Sequence, residues 1–231
     1  MLCSDRLLQN MLKSSLMNYC TPLFKRLAEQ KQDRILNVAA DEFASLGYQT
    51  ANINIIAKKC DVSVGSLYKY FETKENLFLS VCSLAVEALK SALEEVEQED
   101  CGFFDKIRML IAIVQDHSRK HPGVIHLYNE VTTQGNRELA AKLSYEMESI
   151  SALHYAKLIK AAKEKGEIAI DVDEHMAAFC IDNMFMSLQF SYATEYYRER
   201  MRIYVSEDIF EDDERVMERS LEFIRRALEP R

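Results

Sequence analysis

Helix breakers are scarce in this sequence, and this scarcity limits the possible folds more than any other feature. The 231 residues include only six glycines and three prolines. Apolar residues recur every three or four positions over long stretches, as they do on one face of an α-helix. No segment shows the convincing alternation of β-branched residues that is typical of a strand. The sequence therefore predicts an all-α fold of about nine to ten helices.

Capping residues and breakers divide the chain into predicted helices. Asn52, Ser63 and Thr73 are suited to begin helices, whereas Gly47 and Gly166 are suited to end them. A short amphipathic helix is also possible near the start, at Leu7 to Leu16. The other predicted helices span residues 24–47, 53–60, 64–71, 74–99, 104–121, 124–133, 137–165, 171–197 and 216–228.

Charge is distributed unevenly along the chain. Residues 1–78 contain ten Lys or Arg and eight Asp or Glu, whereas the remainder contains nineteen against twenty-nine, which together give the net charge of −8. Only the first third is therefore suited to lie against phosphates. We predict an N-terminal extension at 1–23, a DNA-binding domain at 24–78 and a larger helical bundle at 79–231.

Three short helices joined by tight turns follow the plan of a helix-turn-helix domain. The second helix of such a pair enters the major groove while the first lies across the backbone. The turn between the two requires a left-handed residue, and Asp61 is an acceptable substitute for glycine there. The sequence therefore predicts that residues 63–71 form a recognition helix.

About fifty residues of this region resemble the DNA-binding signature of the TetR family. The resemblance runs from Arg34-Ile35-Leu36 to Lys74-Glu75-Asn76-Leu77, and its most specific part is Val62-Ser63-Val64-Gly65-Ser66-Leu67-Tyr68-Lys69-Tyr70-Phe71. Asp61 and Val64 depart from the family pattern, which has Gly and frequently a basic residue there. The resemblance implies a dimeric regulator with an N-terminal helix-turn-helix and a C-terminal domain that binds a small molecule.

The predicted DNA contacts lie on and around the recognition helix. Hydroxyls and amines reach phosphates or base edges, whereas Val64 can contact only an apolar group such as a thymine methyl. Leu67 and Phe71 are predicted to be core residues. The predicted DNA-binding residues are Asn52, Ser63, Val64, Gly65, Ser66, Tyr68, Lys69, Tyr70 and Lys74.

The larger domain is predicted to bind a ligand and to dimerise. Its Met, Phe and Tyr residues favour an apolar pocket, with core packing as the alternative for each. The segment from Met176 to Tyr192 is apolar around most of its circumference and must be covered on all sides. The predicted pocket residues are Phe104, Met109, Tyr128, Tyr145, Phe179 and Asn183. The predicted dimer residues are Cys180, Met184, Phe185, Leu188, Leu221 and Ile224.

No catalytic motif is recognisable, so no enzymatic activity and no cofactor are predicted. His117 and His121 are four residues apart, a spacing that suits a metal, but a solvated helix end is the simpler interpretation and no metal site is predicted. No stretch approaches roughly 18 apolar residues, and no secretory signal is visible, which favours a cytoplasmic protein.

These patterns predict a ligand-responsive, sequence-specific transcriptional regulator. The expected form is a homodimeric repressor that a small, largely apolar effector releases from an inverted-repeat operator. The alternative is a helical ligand-binding or interaction module that has lost DNA binding, for which Asp61 and Val64 are the evidence.

Overall fold

The fold consists of α-helices throughout the residues that the computed structural model describes, which are 19–133 and 137–230. No strand occurs within these ranges, and the all-α prediction is confirmed. The helices are α1 (Pro22–Lys25), α2 (Glu29–Thr50), α3 (Ile53–Lys59), α4 (Val64–Phe71), α5 (Lys74–Gln98), α6 (Phe103–Lys120), α7 (Pro122–Thr133), α8 (Arg137–Glu164), α9 (Glu174–Ala193), α10 (Glu195–Tyr204) and α11 (Asp213–Leu228). A 3₁₀ turn, Ile209–Glu211, precedes α11.

The contacts divide the chain into two compact units. The first comprises Met1–Ser91 and Leu127–Leu143, and the second comprises Ala92–His126 and Ser144–Arg231. The predicted domain boundary after residue 78 falls inside α5, which runs through residues of both units. The predicted extension at 1–23 lies outside the described residues up to Asn18, and α1 begins at its end.

The first unit packs around an aromatic core. The ring of Phe43 meets the edge of Phe78 at 5.1 Å between centroids, and the ring of Phe24 lies 4.6 Å from that of Phe71. Such ring pairs add stability beyond the area they bury. The core therefore joins α1, α2, α4 and α5.

The first long helix differs from its predicted extent at both ends. Phe24 belongs to the short α1, and α2 begins only at Glu29. Gly47, the predicted end, has φ 74° and ψ 165°, a backbone conformation that glycine adopts readily. Two helical segments meet in a kink at Gly47, so the predicted stop is confirmed as a break in the helix, although helical residues continue beyond it to Thr50.

The second unit contains a helix that the sequence does not predict. The expected helix from 171 to 197 ends at Ala193, and α10 begins at Glu195. Thr194 between them is extended, with φ −125° and ψ 141°, and its backbone N–H and its hydroxyl both donate to the carbonyl of Phe190. The chain becomes much more polar after Thr194, because α10 contains two Glu and three Arg, a change in composition that the predicted helix to residue 197 passes over.

A hydrogen-bond network joins three helices of the second unit. Tyr192 donates its hydroxyl to Asp213 Oδ1 at 2.7 Å, and Arg119 donates to both oxygens of the same carboxylate. The buried Gln115 donates to Tyr192 Oη and to the carbonyl of Asp213. Burial alone would raise the pKa of Asp213, but the hydrogen bonds from Arg119 and Tyr192 outweigh it and lower that pKa.

Helix α5 is long and apolar enough to cross a membrane, but by length and composition only. Core helices of proteins without membrane spans pass the same test. Leu77, Phe78 and Leu79 at its beginning are buried in the core of the first unit, and roughly half of its apolar window is buried.

Candidate nucleic-acid interface

The helix-turn-helix is formed by α3, α4 and the turn between them. Asp61 has φ 58°, which confirms the left-handed residue expected at this turn. Val62 then donates its backbone N–H to the carbonyl of Ala57 at 3.0 Å, which closes the turn. At the start of α3, Asn52 Oδ1 accepts the backbone N–H of Asn54 at 2.9 Å. Asn52 therefore caps α3, as its sequence position predicts.

The recognition helix α4 is capped by Ser63. Its hydroxyl oxygen accepts the backbone N–H of Ser66 at 3.0 Å, and the two serine hydroxyls lie 2.8 Å apart. Leu67 and Phe71 are buried, as predicted. Each serine hydroxyl is therefore already engaged within the helix.

The outer face of α4 carries Gly65, Tyr68 and Lys69. All three residues are exposed, and Tyr68 keeps 46% of its surface accessible. Val64 lies at the edge of this face, half-buried against the core. The outer face thus presents one cation, one phenol and an apolar edge, groups that can contact phosphates and bases.

Two of the predicted phosphate contacts are engaged inside the first unit. Tyr70 is only 9% exposed, and its ring lies 5.9 Å from that of Phe24. Lys74 donates to the carbonyl of Gln49 at 3.0 Å and lies 5.2 Å from the ring centroid of Tyr48. Burial lowers the pKa of the Lys74 amine. Tyr68 and Lys69 are therefore the more accessible candidates.

Contacts that sequence reasoning missed hold α3 and α4 in place. Thr21 donates its backbone N–H to the carbonyl of Tyr70 and its hydroxyl to that of Lys69, both at 2.8 Å. Arg34 donates to the carbonyl of Lys59 at 3.0 Å, and Lys59 Nζ lies 2.9 Å from a carboxylate oxygen of the buried Glu42. Thr21 precedes Pro22 at the start of a short helix. Nothing in the sequence around Thr21 indicates that it contacts α4.

Comparison with known proteins identifies this domain. Residues 35–81, which include α3 and α4, match the family model described as bacterial regulatory proteins, tetR family. The chain therefore contains a DNA-binding domain of the TetR family over these residues. Among its relatives, the HTH-type transcriptional regulator UidR of Escherichia coli strain K12 is 27% identical over 154 residues, which cover 65% of this chain and 76% of UidR.

Solved structures share the fold over most of the length of this chain. A TetR family regulator from Chloroflexus aurantiacus has a TM-score of 0.62 at 21% identity and covers 93% of this chain and 100% of its own. FadR from Bacillus subtilis, solved in complex with stearoyl-CoA, has a TM-score of 0.63 at 19% identity, with 83% and 96% covered.

The described pocket residues are distributed over both units, and two of them lie on the surface of the second unit. Phe179, 64% exposed, and Asn183 lie on the outer surface of α9, where Asn183 donates to the carbonyl of Phe179 at 2.7 Å. Phe104 is half-buried, with the guanidinium of Arg225 4.3 Å from its ring centroid. Met109 is half-buried in the second unit, and Tyr128 belongs to the first. The side chain of Tyr145 lies outside the described residues.

Most of the predicted dimer residues lie inside the single chain. Four of them are buried in the second unit, and Phe185 is only 4% exposed because its ring packs against Tyr155. Cys180 is exposed and Met184 is half-buried. The four buried side chains are Phe185, Leu188, Leu221 and Ile224. A partner subunit therefore cannot reach these four without unpacking the core.

An exposed apolar stripe of α9 is better placed for a partner. Met176, Phe179 and Cys180 are exposed, and Phe179 and Cys180 follow Met176 by three and four residues, which places them near it on one side of the helix. Beside α9, an open groove of about 350 Å³ is bordered by side chains of α9, α10, the 3₁₀ turn and α11. These are Met184, Met201, Val205, Ile209, Val216, Arg219, Ser220 and Phe223.

The two histidines whose spacing would suit a metal, His117 and His121, are close in space. The rings of His117 and His121 lie 4.9 Å apart, and burial, followed by the nearby His121, lowers the pKa of His117. Within residues 19–133 and 137–230, no group of three or more metal-ligating side chains assembles. The pair thus lacks a described third ligand.

Proposed function

We propose that this chain is a ligand-responsive transcriptional regulator that binds a specific DNA sequence as a homodimer. The observation that carries the proposal is the exposed face of α4, with Gly65, Tyr68 and Lys69 outward on a braced helix-turn-helix. Two such helices in a twofold dimer require an inverted-repeat operator, with half-sites about 10 base pairs, or a multiple of this, apart. We propose that the regulator is a repressor.

Retained DNA binding is favoured over the alternative of an interaction module. Asp61 adopts the left-handed conformation that the turn needs, so this departure leaves the motif intact. Val64 begins α4 and does not interrupt it. Neither departure damages the geometry on which major-groove binding depends.

The proposed effector is small and largely apolar, such as an acyl chain or an aromatic cation. FadR, which shares the fold, was solved with stearoyl-CoA. Helix α5 contributes residues to both units and is the proposed route by which the effector changes DNA binding. We also propose a cytoplasmic location and no catalytic role.

Operator binding tests the proposal directly. DNA flanking the chain's own gene, and duplexes selected from random DNA, are titrated at several salt concentrations by fluorescence anisotropy. Each phosphate contact contributes about 0.9 to the slope of log affinity against log salt. Lys69→Ala removes one contact per subunit, so the slope decreases by about 2 and all sequences weaken alike.

The exposed Lys160 of α8 provides the matched control, because Lys160→Ala removes the same charge from the second unit and leaves affinity and slope unchanged. Long-chain acyl-CoA and a quaternary aromatic cation are then added to the complex. An effector that weakens DNA binding must bind the complex more weakly by the same factor. Failure of the wild-type chain to bind any duplex specifically would refute the proposal.

A further inference from the structure

Gly65 occupies a position where the fold itself has no need of glycine. It lies inside the regular helix α4, without the positive φ that would require glycine. A Cβ added there would meet only Ser63 Oγ, at 3.9 Å, an ordinary contact within the same helix. Glycine inside a helix makes the folded protein less stable than alanine would, because the glycine backbone loses more conformational freedom on folding. Neither packing nor backbone geometry therefore accounts for this glycine.

The missing side chain leaves a depression on the exposed face of α4. Helical side chains lean toward the helix N-terminus, so Tyr68 and Lys69, one turn later, lean over positions 64 and 65. Val64 borders the depression on the side of the core, with its side chain half-exposed. The depression lies on the part of α4 that faces the major groove in a helix-turn-helix.

Val64 gives this depression one apolar border. The hydroxyls of Ser63 and Ser66 lie 2.8 Å apart and bond to each other, so they offer less to an outside group. The exposed face offers no guanidinium for a bidentate contact with guanine, because α4 contains no arginine. Among base edges in the major groove, the apolar group is the C5 methyl of thymine.

We propose that a thymine C5 methyl group seats in the depression at Gly65, against Val64, and that this contact determines part of the operator sequence. The inference rests on the proposed DNA-binding function and names the base group that the recognition helix reads. Close approach is possible because no Cβ occupies the space, so an alanine at position 65 would collide with the methyl.

A paired change in protein and DNA tests this contact. The wild-type chain and Gly65→Ala are titrated against an operator selected from random duplex DNA. They are then titrated against a series in which each thymine of the half-site is replaced, one at a time, by deoxyuridine, which lacks only the methyl. Anisotropy measures each affinity, and thermal denaturation measures the stability of the free proteins.

The two proteins should respond to one deoxyuridine substitution in opposite directions. The wild type should lose about fourfold in affinity at that thymine, the effect of one buried methyl group. Gly65→Ala should bind the thymine operator at least about tenfold more weakly than the wild type, as expected for overpacking a close contact. It should recover most of that loss on the deoxyuridine operator. Its Tm should rise by about 2 °C, because alanine is the better helix former.

Gly102→Ala is the matched control, since it adds one carbon at the start of α6 in the second unit. A Cβ there meets Glu167 Oε2 at 3.6 Å and Asp105 Oδ2 at 3.7 Å, both ordinary contacts. This variant should respond to deoxyuridine as the wild type does.

Three results would overturn the inference. If Gly65→Ala binds the thymine operator as tightly as the wild type, nothing approaches position 65 closely. If it binds weakly and no deoxyuridine restores binding, another group, such as a phosphate, occupies the depression. If the wild type selects no operator at all, the proposed function fails as well, which separates that outcome from the other two.

Discussion

At the scale of single residues, Asp61, which has a left-handed backbone, is the clearest departure of this chain from the family pattern. Asp61 stands in the turn of the helix-turn-helix where the family usually has glycine, and it adopts φ 58°. A left-handed conformation costs an ordinary L-residue roughly 1–2 kcal/mol, although Asp tolerates it better than most. The turn is therefore formed at some expense in stability.

Replacement of Asp61 by glycine should stabilise the protein. Asp61→Gly relieves the left-handed strain but adds freedom to the unfolded chain, so we expect a net gain of about 0.5–1 kcal/mol in the free energy of unfolding. The exposed Asp41 inside α2 is the control, because Asp41→Gly should lower the free energy of unfolding by about 0.1–0.3 kcal/mol. Urea denaturation measures both, and a loss of stability in both variants would contradict this explanation.

At the scale of helices, α8 and α9 enclose ionisable groups in an apolar setting. Burial, followed by the charge of Glu148, raises the pKa of Asp182 to about 6. Burial, followed by the charges of Asp182 and Glu148, also raises the pKa of the Tyr155 phenol. These shifts indicate that the charged form of Asp182 is disfavoured where α8 and α9 pack together.

The contribution of Asp182 to stability should depend on pH. Its folded pKa of about 6 exceeds the unfolded value near 3.9, so the folded state holds the proton more tightly. The stabilisation is complete below about pH 4 and is lost as the pH rises through 6. Asp182→Asn, which cannot ionise, should therefore stabilise the protein by about 1–2 kcal/mol at pH 7.5, after allowance for solvent screening.

Urea denaturation at pH 4.5 and pH 7.5 checks this dependence. The gain from Asp182→Asn should be much smaller at the lower pH. The exposed Asp171 lies just before α9, and Asp171→Asn should have little effect at either pH. An equal gain at both pH values would show that the ionisation of Asp182 is not the cause.

Most helix starts and the central motif could be predicted from the sequence, because they depend on local chemistry. Ser63, Thr73 and Asp173 accept backbone N–H groups of their own helices, and such caps are readable residue by residue. The break at Thr194 has no glycine or proline to mark it, and only the more polar composition of α10 distinguishes the two helices. The contact from Thr21 to α4 joins residues 48 positions apart, beyond any local pattern.

The dimer residues show a second limit of sequence reasoning. Helix α9 is apolar around most of its circumference, so periodicity cannot say which face lies inward. The structure buries Phe185 and Leu188 and exposes Met176 and Phe179. Which face of α9 lies inward depends on the packing of the neighbouring helices. The proposed dimer contact therefore moves to the exposed face, which carries Met176 and Phe179.

At the scale of the whole molecule, the exposed stripe of α9 accounts for the proposed dimer. Phe179 is 64% exposed, and on the neighbouring groove Phe223 of α11 is 69% exposed. Exposed apolar side chains that form a contiguous patch commonly mark an interface. A twofold dimer would use each of these side chains twice.

A charge on this stripe should separate the subunits without unfolding them. Phe179→Glu removes an apolar contact and places a carboxylate at the interface in both subunits, so the dimer dissociation constant should rise by about two orders of magnitude. Operator affinity should fall with it, because one recognition helix alone reads only a half-site.

Leu153, exposed to a similar degree on α8, is the control, and Leu153→Glu should leave the dimer dissociation constant and the operator affinity unchanged. Analytical ultracentrifugation measures the dissociation constant and anisotropy measures DNA affinity, while an unchanged Tm at low protein concentration shows that the subunit stays folded. A Phe179→Glu protein that remains dimeric and binds DNA normally would place the interface on another face of the molecule.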